Sequence, residues 1–238
     1  MKGDTINEDV IAGGIEPAGS IYLASVNVAT PGILGQVQGH NVWSGIRKAP
    51  VGPAALLWLS ELNLSGDGQA DLEVHGGVDK AVYAYPSEHL ATWSSELGEA
   101  LGGAPFGENL STIGVLEQDL RIGDVWEWGS AVLQVSQPRW PCYKLVLHRG
   151  RSDVQKRMLA SGRTGWYLRV LEQGEVRTDE PIVVAFRDPR AVTVFDAHLA
   201  MRDTTLRDIE RVRSVAEHPA LAEQWRSPLA ARLSRSER

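Results

Sequence analysis

The only cysteine of the chain, Cys142, lies in a segment whose composition favours chemistry at its sulfur. Pro138 and Pro141 flank an Arg-Trp pair just before it, and each proline fixes its own φ at about −65° and extends the residue before it. Arg139 and Lys144 are close in sequence, and cations favour the thiolate, which is the form that binds metals or attacks electrophiles. The alternative is a small buried hydrophobe, because cysteines outside disulfides are among the most buried residues.

A second segment, VHGGVDKAVYAY, has groups that suit an anion. Gly76 and Gly77 permit positive φ and close backbone approach, so that N–H groups can point at a ligand. His75 and Lys80 flank this turn. On its own, such a sequence is more often a β-turn that leads into a strand.

Two further segments add polar candidates. FGENLST places Glu108 and Asn109 in a turn just before a strand, where they can face a ligand or solvent. HNVWSGIRKAPV supplies Arg47, whose guanidinium can bind a phosphate through two hydrogen bonds. Because adjacent residues on a strand point to opposite faces, we expect at most one of Arg47 and Lys48 in any pocket.

Bulk properties exclude several classes of protein. The chain has 238 residues and a formal charge of −6, which argues against broad binding to nucleic acid. Its histidines lack metal-ligand spacing, and no paired cysteines, Walker motif, Rossmann glycines or Gly-x-Ser-x-Gly elbow are present. No apolar stretch is long enough to span a membrane, and the N-terminus does not have the pattern of a signal peptide. A single cysteine without an export signal predicts a reducing cytoplasm.

The middle of the chain reads as many short strands with one clear helix. The strand-like runs are 20–28, 80–85, 110 onward, 120–122, 125–128, 131–135, 165–171 and 182–186. The pattern of 87–97 predicts a helix with Ser87 as its N-cap, and the run 55–62 fits either helix or strand. Closely spaced strands without strand–helix alternation predict a β-barrel or a sandwich.

Beyond residue 188 the pattern becomes helical. Thr193 and Asp196 have capping-box spacing, Pro219 suits a first helical position, and Ser227-Pro228 predicts the start of another short helix. We therefore predict a flexible segment 1–19, a β domain 20–188 and a small helical bundle 189–238 that packs on it.

Taken in order, four motifs resemble the MOSC domain family, which is named for the C-terminal part of molybdenum cofactor sulfurases. They are LSGDGQAD, VHGGVDKAVYAY, FGENLST and IGDVWEWGSAVLQVSQPRWPCYK, and the closest similarity is to the stand-alone bacterial YiiM-type members. The resemblance implies a mainly β fold, a distorted β-barrel followed by three helices. It also implies molybdenum cofactor, with Cys142 as protein ligand to the metal. Cofactor contacts are then expected from His75, Gly76, Gly77, Lys80, Arg139 and Lys144, with Arg47, Glu108 and Asn109 as looser candidates.

The resemblance further implies an activity. YiiM-type proteins reduce N-hydroxylated bases such as 6-hydroxylaminopurine to amines, and a separate reductase must then deliver the electrons. The alternatives are sulfur transfer through a Cys142 persulfide and non-catalytic storage of the cofactor. The family is also linked to pyridoxal phosphate, but no lysine context here favours a Schiff base. Arginines of the last helices are a candidate docking surface, or simply cap the barrel, and the oligomeric state is left open, a homodimer included.

Overall fold

Seven strands close into a barrel around the larger part of the hydrophobic core. The computed structural model describes residues 18–70 and 76–236. In order around the barrel, and numbered along the chain, the strands are β1 (Ala18–Val28), β12 (Ile182–Phe186), β8 (Val125–Trp128), β9 (Ala131–Pro138), β10 (Trp166–Glu172), β6 (Val82–Pro86) and β7 (Leu110–Ile113). β7 pairs back onto β1, and only the β6–β7 pair among these is parallel. The predicted barrel is confirmed, and the sandwich is wrong.

Large side chains fill the barrel because the strands alternate between its two faces. Ala131, Leu133 and Val135 of β9 are buried, whereas Val132 and Gln134, which alternate with them, are partly exposed. Trp126 and Trp166 meet edge to face in this core, with ring centroids 6.0 Å apart. Such aromatic packing excludes water and joins β8, which carries Trp126, to β10, which carries Trp166.

Smaller strands extend the barrel. β2 (Gly32–Val37) and β3 (His40–Ser44) form a hairpin, and β4 (Ala49–Pro50) pairs with the end of β1. β5 (Leu56–Leu59) pairs with β11 (Gly174–Arg177), which settles the ambiguous run 55–62 as a strand. The run 120–122 is not a strand, because only Arg121 forms a bridge, to Thr193.

Six helices occur in the described ranges. They are α1 (His89–Leu97), α2 (Tyr143–Arg149), α3 (Val154–Ser161), α4 (Val194–Arg202), α5 (Ile209–Ala216) and α6 (Glu223–Ser236). None of them, over the part of the chain that the structure describes, is long and apolar enough to cross a membrane. The prediction of Ser87 as N-cap is wrong: α1 begins two residues later, at His89, and Glu88 precedes it without a side-chain cap.

The last helix begins earlier than the sequence predicts. A helix starting at Ser227-Pro228 is wrong, because Pro228 lies inside α6. Trp225, Leu229 and Leu233 recur every four residues and are all buried. The apolar face therefore continues through Pro228, and its burial outweighs the one backbone hydrogen bond that proline cannot make.

The C-terminal helices share the core of the barrel. α4 begins with the predicted capping box, in which Thr193 accepts from the Asp196 amide and Asp196 from the Thr193 amide. Val194, Val212 and Leu229 belong to the same apolar cluster as the barrel strands. The predicted boundary at residue 188 remains a prediction, and so does the flexible segment 1–19, which lies almost wholly outside the described residues.

A cluster of buried carboxylates also joins these helices to the barrel. We call it the Asp124 cluster; it consists of Asp124, Asp188, Arg121, Arg187, Arg190 and His218. The Asp188 and Arg121 amides donate to Asp124 at 2.8 and 3.0 Å, and the Arg190 amide donates to Asp188 at 2.8 Å. His218, in the turn between α5 and α6, lies 3.5 Å from Asp188.

Candidate functional site

One hollow of about 100 Å³ opens at the end of the barrel where β9 finishes. We call it the basic cavity. Its lining comes from six parts of the chain: Ser44, Gly45, Ile46 and Lys48; Asp67, Gly68, Gln69 and Ala70; Lys80 and Tyr83; Phe106, Gly107 and Asn109; Arg139, Trp140, Cys142 and Lys144; and Tyr167. Gly107 has a φ of 81°, and an added Cβ would stand 2.5 Å from Ile46, so a larger residue would distort this wall.

Cys142, which lines this cavity, is the residue immediately before α2. Its backbone is extended, with φ −118° and ψ 177°, and its side chain is half-buried. The loop is held at both ends: the Arg139 amide donates to the Gly165 carbonyl at 3.1 Å, and Gln155 donates to the Pro141 carbonyl at 2.9 Å. The thiol therefore lines the cavity from a backbone that neighbouring elements fix in place.

Among the residues that the structure describes, four cations and one carboxylate, that of Asp67, line the cavity. Arg139 is only 6% exposed and Lys144 only 8%. The Arg139 guanidinium stands 5.1 Å over the Tyr83 ring and donates to the Phe106 carbonyl at 3.4 Å. Because nearby positive charge lowers the energy of an anion, these cations favour an anionic ligand and the thiolate form of a cysteine.

The remaining charges form a network on one wall. Lys48 makes an ion pair with Asp67, and Asn109 donates to Asp67 at 2.9 Å. The Tyr83 amide donates to the Asn109 side chain at 3.1 Å. Burial lowers the pKa of Lys48, while Asp67 and Glu108 act in the opposite direction. Asn109 thus joins the cavity to strand β6.

Glu108 lies behind the lining and does not border the cavity. It is fully buried and accepts from the Phe106 amide at 3.0 Å and from Ser111 at 3.4 Å. Burial raises its pKa from 4.5 to about 7, although the backbone hydrogen bonds, Arg139 and Ser111 lower it. The carboxyl group of Glu108 therefore has a pKa near neutral pH, and it lies behind the residues that line the cavity.

The structure brings together five of the residues predicted from the sequence: Cys142, Lys80, Arg139, Lys144 and Asn109. Arg47 does not line the cavity; it donates to the carbonyls of Ile33 and Leu34, and Lys48 occupies the cavity instead. Gly77 has a φ of 93° and precedes the short 3-10 turn that ends at Lys80, but neither it nor Gly76 borders the cavity. His75 lies outside the described residues.

Sequence reasoning weighed Lys48 only as the alternative to Arg47, and it did not single out Asp67, Tyr83 or Tyr167, which also line the cavity. The two tyrosines face each other across the β6–β10 pair, with ring centroids 5.3 Å apart. Tyr83 and Tyr167 could have been recognised as candidates because each carries a polar aromatic ring on a strand that the sequence predicts. Asp67 lies within the turn-rich motif that supported the resemblance, so its side chain was visible there as a candidate.

The end of a small barrel thus places one thiol among buried cations. The MOSC domain model matches residues 71–183. The uncharacterized protein YflK of Bacillus subtilis is 40% identical over 205 residues, which are 85% of this chain and 90% of YflK. The crystal structure of YiiM from Geobacillus stearothermophilus has a TM-score of 0.74 and 31% identity, and the match covers 90% of this chain and 99% of that one.

The chain belongs to the MOSC domain family and is of the YiiM type. This family is associated with molybdenum cofactor. A third relative, from Gibberella moniliformis, is named "Reductase"; it is 30% identical over 166 residues, which are 65% of this chain but only 29% of the fungal protein.

Proposed function

We propose that this protein is a molybdenum-cofactor-dependent oxidoreductase that reduces N-hydroxylated bases, 6-hydroxylaminopurine among them, to amines. Cys142 is the protein ligand to molybdenum in this proposal. The observation that carries it is the position of the Cys142 side chain, half-buried in a cavity lined by four cations. The name of the fungal relative supports an oxidoreductase.

The donor set of the cavity fits this cofactor. A thiolate suits a soft redox metal, and the pterin dithiolene brings the metal's other sulfur ligands with it. Lys80, Arg139 and Lys144 supply positive charge for an anionic group, and Lys48 adds more through its pair with Asp67. A hollow of about 100 Å³ holds a metal and its nearest atoms, while a whole pterin is larger, since ligand sites usually exceed about 300 Å³.

The residues of the chain then have distinct tasks. When bound, the cofactor supplies the two-electron chemistry that removes the hydroxylamine oxygen. Cys142 anchors the metal at the cavity, and its loop, held by Gln155, keeps the sulfur from moving away. The buried cations strengthen retention of the anionic cofactor, because charge interactions are less screened away from bulk water.

The reaction balances only with an external donor. The hydroxylamine group, –NHOH, takes up two electrons and two protons and gives –NH₂ and one water. We propose that a separate reductase delivers these electrons, and that the reaction takes place in the cytoplasm, where a single thiol stays reduced. In the fungal "Reductase", 71% of the length lies outside the region similar to this chain, which is compatible with a donor module outside the MOSC domain.

The test is anaerobic reduction of 6-hydroxylaminopurine by protein from a cofactor-competent host, with an artificial electron donor. We expect one molybdenum per chain and formation of adenine, both lost in Cys142→Ala. Trp58→Ala, which alters a residue on β5 that does not line the cavity, is the matched control. A persulfide mass shift on Cys142 without molybdenum would instead indicate sulfur transfer. Molybdenum without adenine formation would indicate storage.

A further inference from the structure

A second concavity opens directly beside the basic cavity. We call it the hairpin groove; it has a volume of about 460 Å³ and is lined by Val37, His40, Asn41, Val42, Trp43, Ala70, Tyr143 and Lys144. Ala70 and Lys144 also line the basic cavity, and Tyr143 follows Cys142 in the chain. A ligand in this groove is therefore next to the thiol.

Two aromatic side chains of the groove expose half of their surface. Trp43 is 52% exposed and Tyr143 is 50% exposed. Trp43 lies on β3 opposite Ile33 of β2, and its neighbour Val42 is buried, so the hairpin fixes the position of Trp43 while its ring remains accessible. Exposed aromatic rings at a concave surface favour stacking of a flat ligand.

Polar groups accompany these rings. His40 and Asn41 are exposed at the start of β3, and Lys144 stands where the groove meets the cavity. Asn41 accepts a hydrogen bond from Gln36 at 3.0 Å through its Oδ1 atom, so its amide N–H₂ is the group that can donate to a ligand. Amide and imidazole groups match the ring nitrogens at the edge of a heterocyclic base.

We infer that the hairpin groove binds the planar nitrogen-heterocyclic base of the substrate, stacked on Trp43 and Tyr143, with its N-hydroxylated group directed to the basic cavity. This inference rests on the proposed function for the identity of the ligand. A pterin has the same planar chemistry and is the rival occupant. The wide opening of the groove favours a ligand that exchanges, because a permanently held group is normally enclosed.

Adenine, the product base, is the probe, because its binding can be measured without turnover. We would titrate adenine into cofactor-free and molybdenum-loaded protein by calorimetry. Each of Trp43→Ala and Tyr143→Ala is expected to weaken adenine binding on the order of tenfold, as for loss of one base–aromatic stack. Trp43→Phe should keep most of the affinity, and Trp58→Ala, an equally exposed tryptophan on β5, should keep all of it. In the loaded enzyme, Trp43→Ala should raise KM for 6-hydroxylaminopurine by the same factor and change kcat less.

Three results would overturn the inference. One is absence of adenine binding in the parent protein. Another is equal adenine affinity in Trp43→Ala and Trp58→Ala, with circular dichroism showing both folded. The third is that adenine binds only when the cofactor is absent and that Trp43→Ala also loses molybdenum. That combination would show that the pterin binds in the hairpin groove. Adenine binding that depends on Trp43 in a protein without reductase activity would keep the groove and refute only the proposed reaction.

Discussion

The basic cavity and the Asp124 cluster both bury charge at ends of barrel strands, yet they differ in balance. In the Asp124 cluster, backbone amides and arginines satisfy both carboxylates: Asp124 accepts from two amides and lies 3.7 Å from Arg187. In the basic cavity, four cations and one carboxylate of the described ranges 18–70 and 76–236 lie beside an open hollow. Both regions place charged side chains out of water, but the described charges that line the basic cavity are mostly positive.

This difference separates a structural cluster from a candidate site. Buried carboxylates that accept from backbone amides and arginines hold elements in register, as Asp188 does by accepting from the Arg190 amide and side chain. An excess of one sign next to a cavity costs folding free energy, and binding of an anion can recover it. Variants that affect stability and ligand retention separately would sharpen this distinction.

Asp124→Ala should have the largest effect on stability. It leaves the buried amides of Arg121 and Asp188 without an acceptor, so we expect the free energy of unfolding to fall by about 3–5 kcal/mol. Urea denaturation measures this, and Asp119→Ala, an exposed aspartate nearby, is the control. Molybdenum per folded chain should be unchanged. Loss of the metal at full stability would contradict the structural role of the cluster.

Glu108→Gln should change how stability depends on pH. The pKa of Glu108 rises from 4.5 in the unfolded chain to about 7 in the folded one, so the folded state holds the proton more tightly. Its contribution is fully present below pH 4.5 and is lost as pH rises through 7. The shift corresponds to about 3 kcal/mol. Relative to the parent, Glu108→Gln should therefore gain stability between pH 5 and 8.

Burial lowers the pKa of His148 from 6.5 to about 4, helped by Arg149, Arg47 and Arg139, so its contribution has the opposite slope. It is lost as pH falls from 6.5 towards 4. Because His148 is present in both proteins, it cancels in their difference. Parallel curves of unfolding free energy against pH for parent and Glu108→Gln would show that Glu108 does not titrate as described.

Lys144→Met should act on retention rather than on stability. The variant keeps the aliphatic stem and removes one buried cation from the cavity, so we expect cofactor dissociation on the order of tenfold faster, as for loss of one charged contact. Molybdenum retention after dialysis measures this. Lys156→Met, an exposed lysine on α3, is the matched control. Equal retention in both variants would count against the cation excess as the basis of binding.

Much of the fold and several residues of the basic cavity could be predicted from the sequence. Short strand-like runs between turn residues predicted most barrel strands, and the spacing of Thr193 and Asp196 predicted the start of α4. The motif order brought Cys142, Arg139 and Lys80 to one place, because each follows or precedes a strand of the same barrel. These features depend on local pattern, which a single chain displays.

Other features depend on distant contacts. α2 and α3 were not predicted, since the prolines before Cys142 dominate the local pattern, whereas Leu145, Val154 and Met158 pack on a core with Trp93 of α1. The choice of Lys48 over Arg47 was likewise hidden, because it depends on Asp67 and on carbonyls of β2, which are remote in sequence. Single-chain patterns do not show such pairings.

Thr193→Ala should have the smallest effect. Thr193 caps α4 by accepting from the Asp196 amide at 2.9 Å, and loss of an N-cap hydroxyl costs about 1 kcal/mol. For a chain of this size the melting temperature should fall by roughly 2–4 °C, and Thr193→Ser should restore most of it. Molybdenum content should stay the same, because Thr193 does not line the basic cavity. A fall in molybdenum without a change in melting temperature would instead show that α4 contributes to cofactor binding. The distinction between a structural region and a binding region would then not hold.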